Sequence, residues 1–327
     1  MVKEIYLYEI VMIFGTNIKR LILLKMKFYS GSFFIAGLLM ISFNLSSQSF
    51  KVGHTSMLFV DSSRNNRKIR TEIYYPSDTA GKNASFSETF QGRFPVLCFG
   101  HGYQMSWDSY SYLCDSLVPY GFIIAFPKTE MKLFPSHIGF AKDIAFVLSE
   151  IDKSGKNPSS FFYNRVDSMN CAMGHSMGGG SAILAARFNS SIRSLALLAP
   201  LNTQPSSVDA ASELEIPSMI IAGKNDCVTP PYIHQLPIYL NLKSLSKIII
   251  TIKGGSHCQM ADRSAKCKLG ESTCKPKPEI SDNTQHAIVV KYLLYWLNSH
   301  LKGDRSSADQ FDTFLESDNS IEFVRNN

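Results

Sequence analysis

The 327-residue sequence contains no apolar run long enough to cross a bilayer. Its most apolar stretch, 33–43, is eleven residues long, against the roughly 20 a spanning helix needs, so a stable membrane anchor is not expected. It has no Cys-x-x-Cys pair, which excludes the usual structural zinc spacing. No glycine-rich phosphate loop follows the first strand-like segment, and His, Cys, Asp and Glu do not cluster at ligand spacing, so neither a cofactor nor a metal is expected. No repeat of fixed period and no appended binding module is visible, which argues against an adhesin. Basic residues exceed acidic ones by 33 to 27, but they are dispersed and leave no footprint for nucleic acid. A hydrophobic content of 45% with 18% charged residues excludes general disorder and allows a sizeable core.

The N-terminal region has its own logic. After Met26-Lys-Phe-Tyr-Ser comes the apolar run 33–43 and then the small polar cluster Ser46-Ser47-Gln48-Ser49, the layout of a secretory signal peptide cleaved near Ser47. Residues 1–25 carry no targeting pattern and read as an over-called start. The expected organisation is therefore a signal over 26–47, one catalytic domain over 48–302, and a polar tail with a short helix over 303–327. Without 1–47 the formal charge falls from +6 to +3, with 28 basic against 25 acidic residues. An exported chain, periplasmic or secreted, permits disulfides. Of the seven cysteines, Cys98, Cys114 and Cys171 lie in apolar stretches and read as buried small hydrophobes. Cys227, Cys258, Cys267 and Cys274 lie in polar loops, and four cysteines allow three pairings.

From residue 68 onward, strand-like and helix-like segments alternate. Strands are expected at 68–75, 94–100, 122–126, 169–174, 194–199, 218–222 and 247–252, and helices at 106–120, 138–151, 177–188, 233–242 and 284–301. Residues 303–327 are expected to form a surface helix and a frayed end. Phe94-Pro-Val-Leu-Cys-Phe-Gly100 has the continuous apolar character of a strand buried on both faces. This alternation predicts a mostly parallel α/β sheet covered by helices on both faces.

Functional residues of such a sheet gather where strands end and helices begin. Ser176 occupies one of these junctions, within Gly174-His-Ser-Met-Gly178, a G-x-S-x-G pattern. There a tight strand-to-helix turn exposes a serine on strained backbone, and the flanking glycines admit the neighbouring chain. A serine hydroxyl needs a base to take its proton and a carboxylate to orient that base. In this arrangement the acid and then the histidine follow the serine, each after a later strand. Gly223-Lys-Asn-Asp226 follows the strand at 218–222, and Gly254-Gly-Ser-His257 follows the one at 247–252. Asp226 and His257 therefore complete a candidate triad. The rivals Asp209 and Asp262 follow no buried strand directly. His175 adjoins the serine and should point away from it while flanking the cleft, and His101 should brace the neighbouring loop. His137, His234, His286 and His300 lie in helical or polar segments, and His54 precedes the expected sheet. A tetrahedral intermediate needs two N–H donors, expected from Met177, after the serine, and from Tyr103 in Phe99-Gly-His-Gly-Tyr103.

Residues from about 94 to 301 resemble an α/β-hydrolase, and more narrowly the cutinase-like polyesterases that include bacterial poly(ethylene terephthalate) hydrolases. The stretches that carry the resemblance are Gly102-Tyr103, Gly174-His-Ser-Met-Gly-Gly-Gly180, Ala199-Pro200, Asn225-Asp226-Cys-Val-Thr-Pro230, Leu236-Pro-Ile-Tyr239 and Gly254-Gly-Ser-His257. The resemblance implies ester hydrolysis through an acyl-enzyme. Ser176, Asp226 and His257 would be the triad, Tyr103 and Met177 the oxyanion donors, and Tyr103, His175, Leu201 and Val228 the cleft. Such enzymes active on aromatic polyesters usually carry tryptophan directly after the Ala-Pro pair, where this chain has Leu201. Residues 258–274 form a longer, more cysteine-rich loop than is usual for that group. A Cys227–Cys258 bridge would clamp the two triad loops, and Cys267–Cys274 would staple the insertion. The expected partner is a small or polymeric ester substrate, and the protein is expected to be a monomer.

The same scaffold serves phospholipid acetylhydrolases, chlorophyllases and peptidases. Dienelactone hydrolases use cysteine where Ser176 stands. From another class, a catalytically dead hydrolase-fold binding protein would keep the fold without reacting with a fluorophosphonate.

Overall fold

Residues 49–262 and 265–326 are described by the computed structural model, and they belong to one unit, Ser47–Asn327. The expected signal peptide and alternative start lie outside the described residues. The chain begins with an antiparallel pair, β1 (Lys51–Asp61) and β2 (Arg67–Ser77), with Lys51 opposite Ser77 and Asp61 opposite Arg67. The short β3 (Gly81–Lys82) lies along β1. The α/β alternation then runs β4 (Phe94–Gly100), α1 (Ser111–Leu117), β5 (Ile123–Pro127), α2 (His137–Lys156), β6 (Val166–His175) and α3 (Met177–Phe188). It continues through β7 (Ser194–Leu198), α4 (Ser207–Ala211), β8 (Ser218–Gly223), α5 (Gln235–Asn241), β9 (Lys247–Ile252) and α6 (Ala265–Glu271). The chain closes with α7 (Asp282–Lys302), α8 (Arg305–Ser317) and β10 (Ile321–Arg325).

These strands form one sheet in the order β10-β9-β8-β7-β6-β4-β5-β2-β1-β3. Its centre, β9 through β5, is parallel, and antiparallel strands flank it on both sides. Every residue of β4 is buried, as its unbroken apolar run requires. The period-2 alternation of the strands sorts their side chains into two cores. Ala172, Leu195, Leu197 and Ile220 meet α2 through α5, including Ile144, Ile183, Ala210 and Ile238. Met173, Ala196, Leu198 and Ile221 meet α1, α7 and α8, including Leu113, Val289, Leu293 and Phe311. The mostly parallel sheet with helices on both faces is the expected architecture. Among the described residues no helix is long and apolar enough to cross a membrane.

Three local expectations differ from the structure. The helix expected at 106–120 is broken into a 3-10 turn at Trp107–Tyr110, α1, and a second 3-10 turn at Val118–Tyr120 that contains Pro119, a residue that cannot continue an α-helical ladder. β1 carries His54, which was expected to lie outside the sheet. It sits toward the sheet's edge, and only Gly53, Phe59 and Asp61 are fully buried, too few for a clear apolar alternation. The end expected to fray is β10, with Ile321 buried and paired opposite Ile252 of β9.

The junction of α8 and β10 is pinned by Asp318. Its carboxylate accepts from Lys291 and Tyr292 on α7 and from the Ser320 hydroxyl and N–H, the last at 2.8 Å. Burial alone would raise this carboxyl, but the ammonium and hydrogen-bond donors outweigh it and hold it at about 2. Because that lies below the ordinary 3.8, the stabilisation is complete above about pH 5 and is lost as pH falls through about 2. Asp318→Asn should therefore be less stable than wild type in urea melts at pH 6, with the gap closing toward pH 2. A gap that does not change with pH would contradict this account.

Candidate active site

The C-terminal ends of β4, β6, β8 and β9 bring four loops together, and the turn after β6 sets their geometry. Ser176 follows the last residue of β6 and caps α3, with φ 54° and ψ −118°. An L-residue adopts such a conformation only when its surroundings impose it, at roughly 1–3 kcal/mol. Here the Ser176 N–H donates to the Leu198 carbonyl at 3.0 Å, and its carbonyl accepts from Gly180 and Leu201 at 3.1 and 2.9 Å. The flanking glycines are steric requirements. A Cβ on Gly178 would lie 2.0 Å from the Gly100 carbonyl oxygen, and one on Gly174 would lie 2.4 Å from the Gly178 backbone.

His257, in the turn after β9, points Nδ1 at Asp226 Oδ2, 2.8 Å away, and both residues are buried. Asp226 is saturated with donors. Its Oδ1 accepts from the N–H groups of Val228 and Thr229 at 2.9 and 2.7 Å, and Oδ2 also accepts from the Thr229 hydroxyl at 2.9 Å. A buried carboxylate is tolerated when its lone pairs are filled in this way. Thr229 Oγ1 is also 2.9 Å from His257 Nδ1 and accepts from Gln235 Nε2 at 3.1 Å. Gln235 in turn donates to the Pro200 carbonyl at 2.9 Å, joining the acid loop to the chain beyond β7.

On the other wall, residues 102–105 form a turn closed by a bond from the Met105 N–H to the Gly102 carbonyl at 3.1 Å. Tyr110 holds this turn, because its buried hydroxyl accepts from the Gly102 N–H at 2.8 Å and lies 2.9 Å from His175 Nδ1. His175 is fully buried, and its ring packs 4.6 Å from that of His257. Burial, then the neighbouring His257, keeps His175 well below the ordinary imidazole range, so it forms a neutral wall behind the pair. His101 braces the same loop as expected, with Nδ1 and Nε2 each 2.8 Å from a carbonyl, of Gly102 and Thr129. Met177 opens α3, where the first N–H groups have no partner within the helix. Tyr103 exposes its ring and donates its hydroxyl to the Leu133 carbonyl at 2.8 Å.

Tyr103, Met105, His175, Ser176, Val228 and His257 line a cleft of about 230 Å³, which Lys266, Cys267 and Gly270 of α6 close on one side. Leu201 is not among its lining residues; its N–H bonds Ser176 instead. The rival Asp262 takes the Tyr112 N–H at 3.1 Å and the Ser111 hydroxyl, and Asp209 sits in the first turn of α4. Among the described residues no cluster of three or more His, Cys, Asp or Glu could hold a metal.

Residues 63–320 match the family described as PETase, PET hydrolase-like. The chain belongs to the PET hydrolase-like family. Its fold is therefore the α/β-hydrolase fold, and its relatives are cutinase-like esterases. Over 242 residues it is 24% identical to a bis(hydroxyethyl) terephthalate hydrolase of Streptomyces coelicolor, covering 71% of this chain and 62% of that protein. Over 236 residues it is 25% identical to cutinase 2 of Thermobifida cellulosilytica, covering 71% and 73%. It is also 25% identical to cutinase cut1 of Thermobifida fusca, covering 71% and 60%. The chain thus spans about three fifths of the length of the first and third of these relatives.

In this PET hydrolase-like chain the disulfides differ from the expected pairing. Cys227 bonds Cys274, and Cys258 bonds Cys267, so the acid and histidine loops are not bridged directly. Each is tied instead to the segment around α6: the histidine loop to Cys267 within the helix, and the acid loop to Cys274 just after it. Sequence reading placed the four cysteines in polar loops but had no means of choosing among pairings, because the choice depends on where α6 folds back. It also passed over Thr229, Tyr110, Gln235 and Glu271. Only Thr229 had a sequence signal, lying three residues after Asp226 where a side chain can bond back to the turn.

The two bridges differ in the chain they enclose, with sequence separations of 47 and 9. Loop-closure entropy then assigns about 4 kcal/mol to the first and about 2.6 kcal/mol to the second. In denaturant melts the Cys227→Ser/Cys274→Ser variant should lose more stability than Cys258→Ser/Cys267→Ser. Equal losses would mean that local packing, not chain constraint, dominates.

Proposed function

We propose that this chain is an exported serine carboxylic-ester hydrolase that works through an acyl-enzyme on aliphatic or lipid-like esters or polyesters. The observation that carries the reading is the buried His257–Asp226 pair, 2.8 Å apart, opening onto the same cleft as a strained Ser176. In this mechanism Ser176 Oγ attacks the ester carbonyl carbon while His257 Nε2 takes the hydroxyl proton. Asp226 holds the imidazole in the tautomer with hydrogen on Nδ1 and stabilises the imidazolium that forms. The carbonyl oxygen becomes an oxyanion held by the N–H groups of Tyr103 and Met177. Collapse breaks the ester C–O bond, and the alcohol leaves with the proton from His257. Water, deprotonated by His257, then releases the acid and restores Ser176.

Tyr103, Met105 and Val228 give the cleft apolar walls suited to an acyl chain. No tryptophan follows Ala199-Pro200, where Leu201 stands, which favours aliphatic over aromatic acyl groups. Membership in the PET hydrolase-like family, with 24% and 25% identity to proteins named bis(hydroxyethyl) terephthalate hydrolase and cutinase 2, supports the ester class. Two disulfides support an oxidising compartment.

The test is hydrolysis of p-nitrophenyl esters from acetate to palmitate by the oxidised protein, beside Ser176→Ala and Asp226→Asn. Ser176→Ala should lower kcat by about 10⁵-fold or more, leaving only the residual rate that the oxyanion donors and binding supply, and Asp226→Asn should cost about 10⁴-fold by favouring the wrong tautomer. The chain-length optimum sizes the acyl cleft. A folded wild-type protein that neither turns over these esters nor reacts with a fluorophosphonate would replace this reading with a binding function.

A further inference from the structure

The inserted helix α6 ends at Glu271, whose carboxylate lies inside the protein, 6% exposed. Its Oε1 accepts from the backbone N–H of His257 at 2.9 Å and of Cys258 at 3.2 Å. Its Oε2 accepts from the Ser256 hydroxyl at 3.1 Å. No ion pair reaches this carboxylate among the described residues, so its charge is met by these three donors. The two N–H groups belong to the start of the 3-10 turn Cys258–Met260, where backbone donors have no partner within the turn. From the other side Gln285 grips Ser256, accepting its N–H and donating to its carbonyl, both at 2.9 Å. The peptide that carries the His257 side chain is therefore clamped between α6 and α7. The α6 half of the clamp is fastened covalently, because Cys267 and Cys274 stand on either side of Glu271 and bond the histidine and acid loops.

We propose that Glu271 is a positioning residue for the ester hydrolysis assigned above, setting the direction from which His257 approaches Ser176 through the backbone rather than by touching substrate. The inference rests on that reading of the site. The carboxylate selects one orientation of the 257–258 peptide, and Asp226 then fixes the ring about its remaining freedom. The charge-assisted bonds to two adjacent N–H groups are stronger than neutral ones, and misplacing a reacting group by about 1 Å can cost about 100-fold in rate.

The experiment compares wild type with Glu271→Gln, Glu271→Asp and Glu271→Ala, well below each melting temperature. It measures the second-order rate of inactivation by a small fluorophosphonate, together with kcat and KM for p-nitrophenyl butyrate. Inactivation reads base-assisted attack by the serine and does not depend on how the ester is bound. Glu271→Ala should slow inactivation and lower kcat in parallel, by about 10- to 100-fold, with KM changed less than about threefold. Glu271→Gln keeps one oxygen for the two N–H groups and should lie between wild type and Glu271→Ala, at a loss of about fivefold or more. Glu271→Asp cannot span the same gap and should fall below Glu271→Gln. Folded variants that inactivate at the wild-type rate, or a loss confined to KM, would overturn the proposal. Should Glu271→Ala not fold, the near-isosteric Glu271→Gln decides alone. A wild type inert to the fluorophosphonate would instead remove the esterase reading itself, whereas a reactive wild type with equally reactive variants removes only the role of Glu271.

Discussion

Backbone meets backbone at the end of β6, and the rest of the site is arranged around that contact. Gly178 lies so close to the Gly100 carbonyl that no side chain fits, and this approach brings the first turn of α3 against the loop after β4. The same contact forces Ser176 into a conformation disfavoured by roughly 1–3 kcal/mol, and β7 restrains it through the Leu198 carbonyl. Strain of that size can be carried only by neighbours that cannot relax. The centre of a fully buried parallel sheet supplies such neighbours. Once the turn is fixed, the start of α3 and the 102–105 turn face one cleft, and only the acid and the histidine remain to be brought to it.

Those two arrive on loops, which lack the rigidity of the sheet, and the structure compensates with polar and covalent ties. Asp226 accepts four hydrogen bonds, three of them from its own loop, so its direction is set before the histidine is considered. Thr229 has one hydroxyl hydrogen to donate and lone pairs to accept Gln235, which makes it the joint between the acid loop and Pro200. His257 is held by its ring from Asp226 and by its backbone from Glu271. Removing one partner from such a network leaves the other buried and unsatisfied, which costs more than the bond itself contributes.

How much of this could be read in the sequence follows from which interactions are local. The sheet was legible because β4, β5, β7 and β8 are buried throughout and carry unbroken apolar runs. Ser176, Asp226 and His257 were legible as candidates because Ser176 directly follows β6, and Asp226 and His257 lie three and five residues beyond the ends of β8 and β9. β1 and β10 were not, since strands near the edges of the sheet bury few residues and lose the apolar alternation. Tyr110 and Glu271 carry no motif. Tyr110 reaches His175 across 65 positions, and Glu271 reaches His257 across 14, and those separations acquire meaning only once the chain has folded. The disulfide pairing belongs to the same class, because α6 had to be placed before Cys274 could be seen beside Cys227.

The segment that carries α6 also closes the cleft on one side. α6 contributes Lys266, Cys267 and Gly270 to the lining of the cleft, and the same helix carries the carboxylate that accepts the His257 N–H. A segment that both lines the cleft and bonds the His257 backbone couples the two, since a change that widens the opening by shifting α6 also moves the groups behind the imidazole. The two disulfides reduce that coupling by limiting how far α6 can move relative to either loop. The first constrains by far the longer stretch of chain. Variation at the exposed positions of α6, such as Lys266 and Leu269, is therefore freer to reshape the cleft than variation at Cys267, Glu271 or Cys274, whose side chains hold the helix in place.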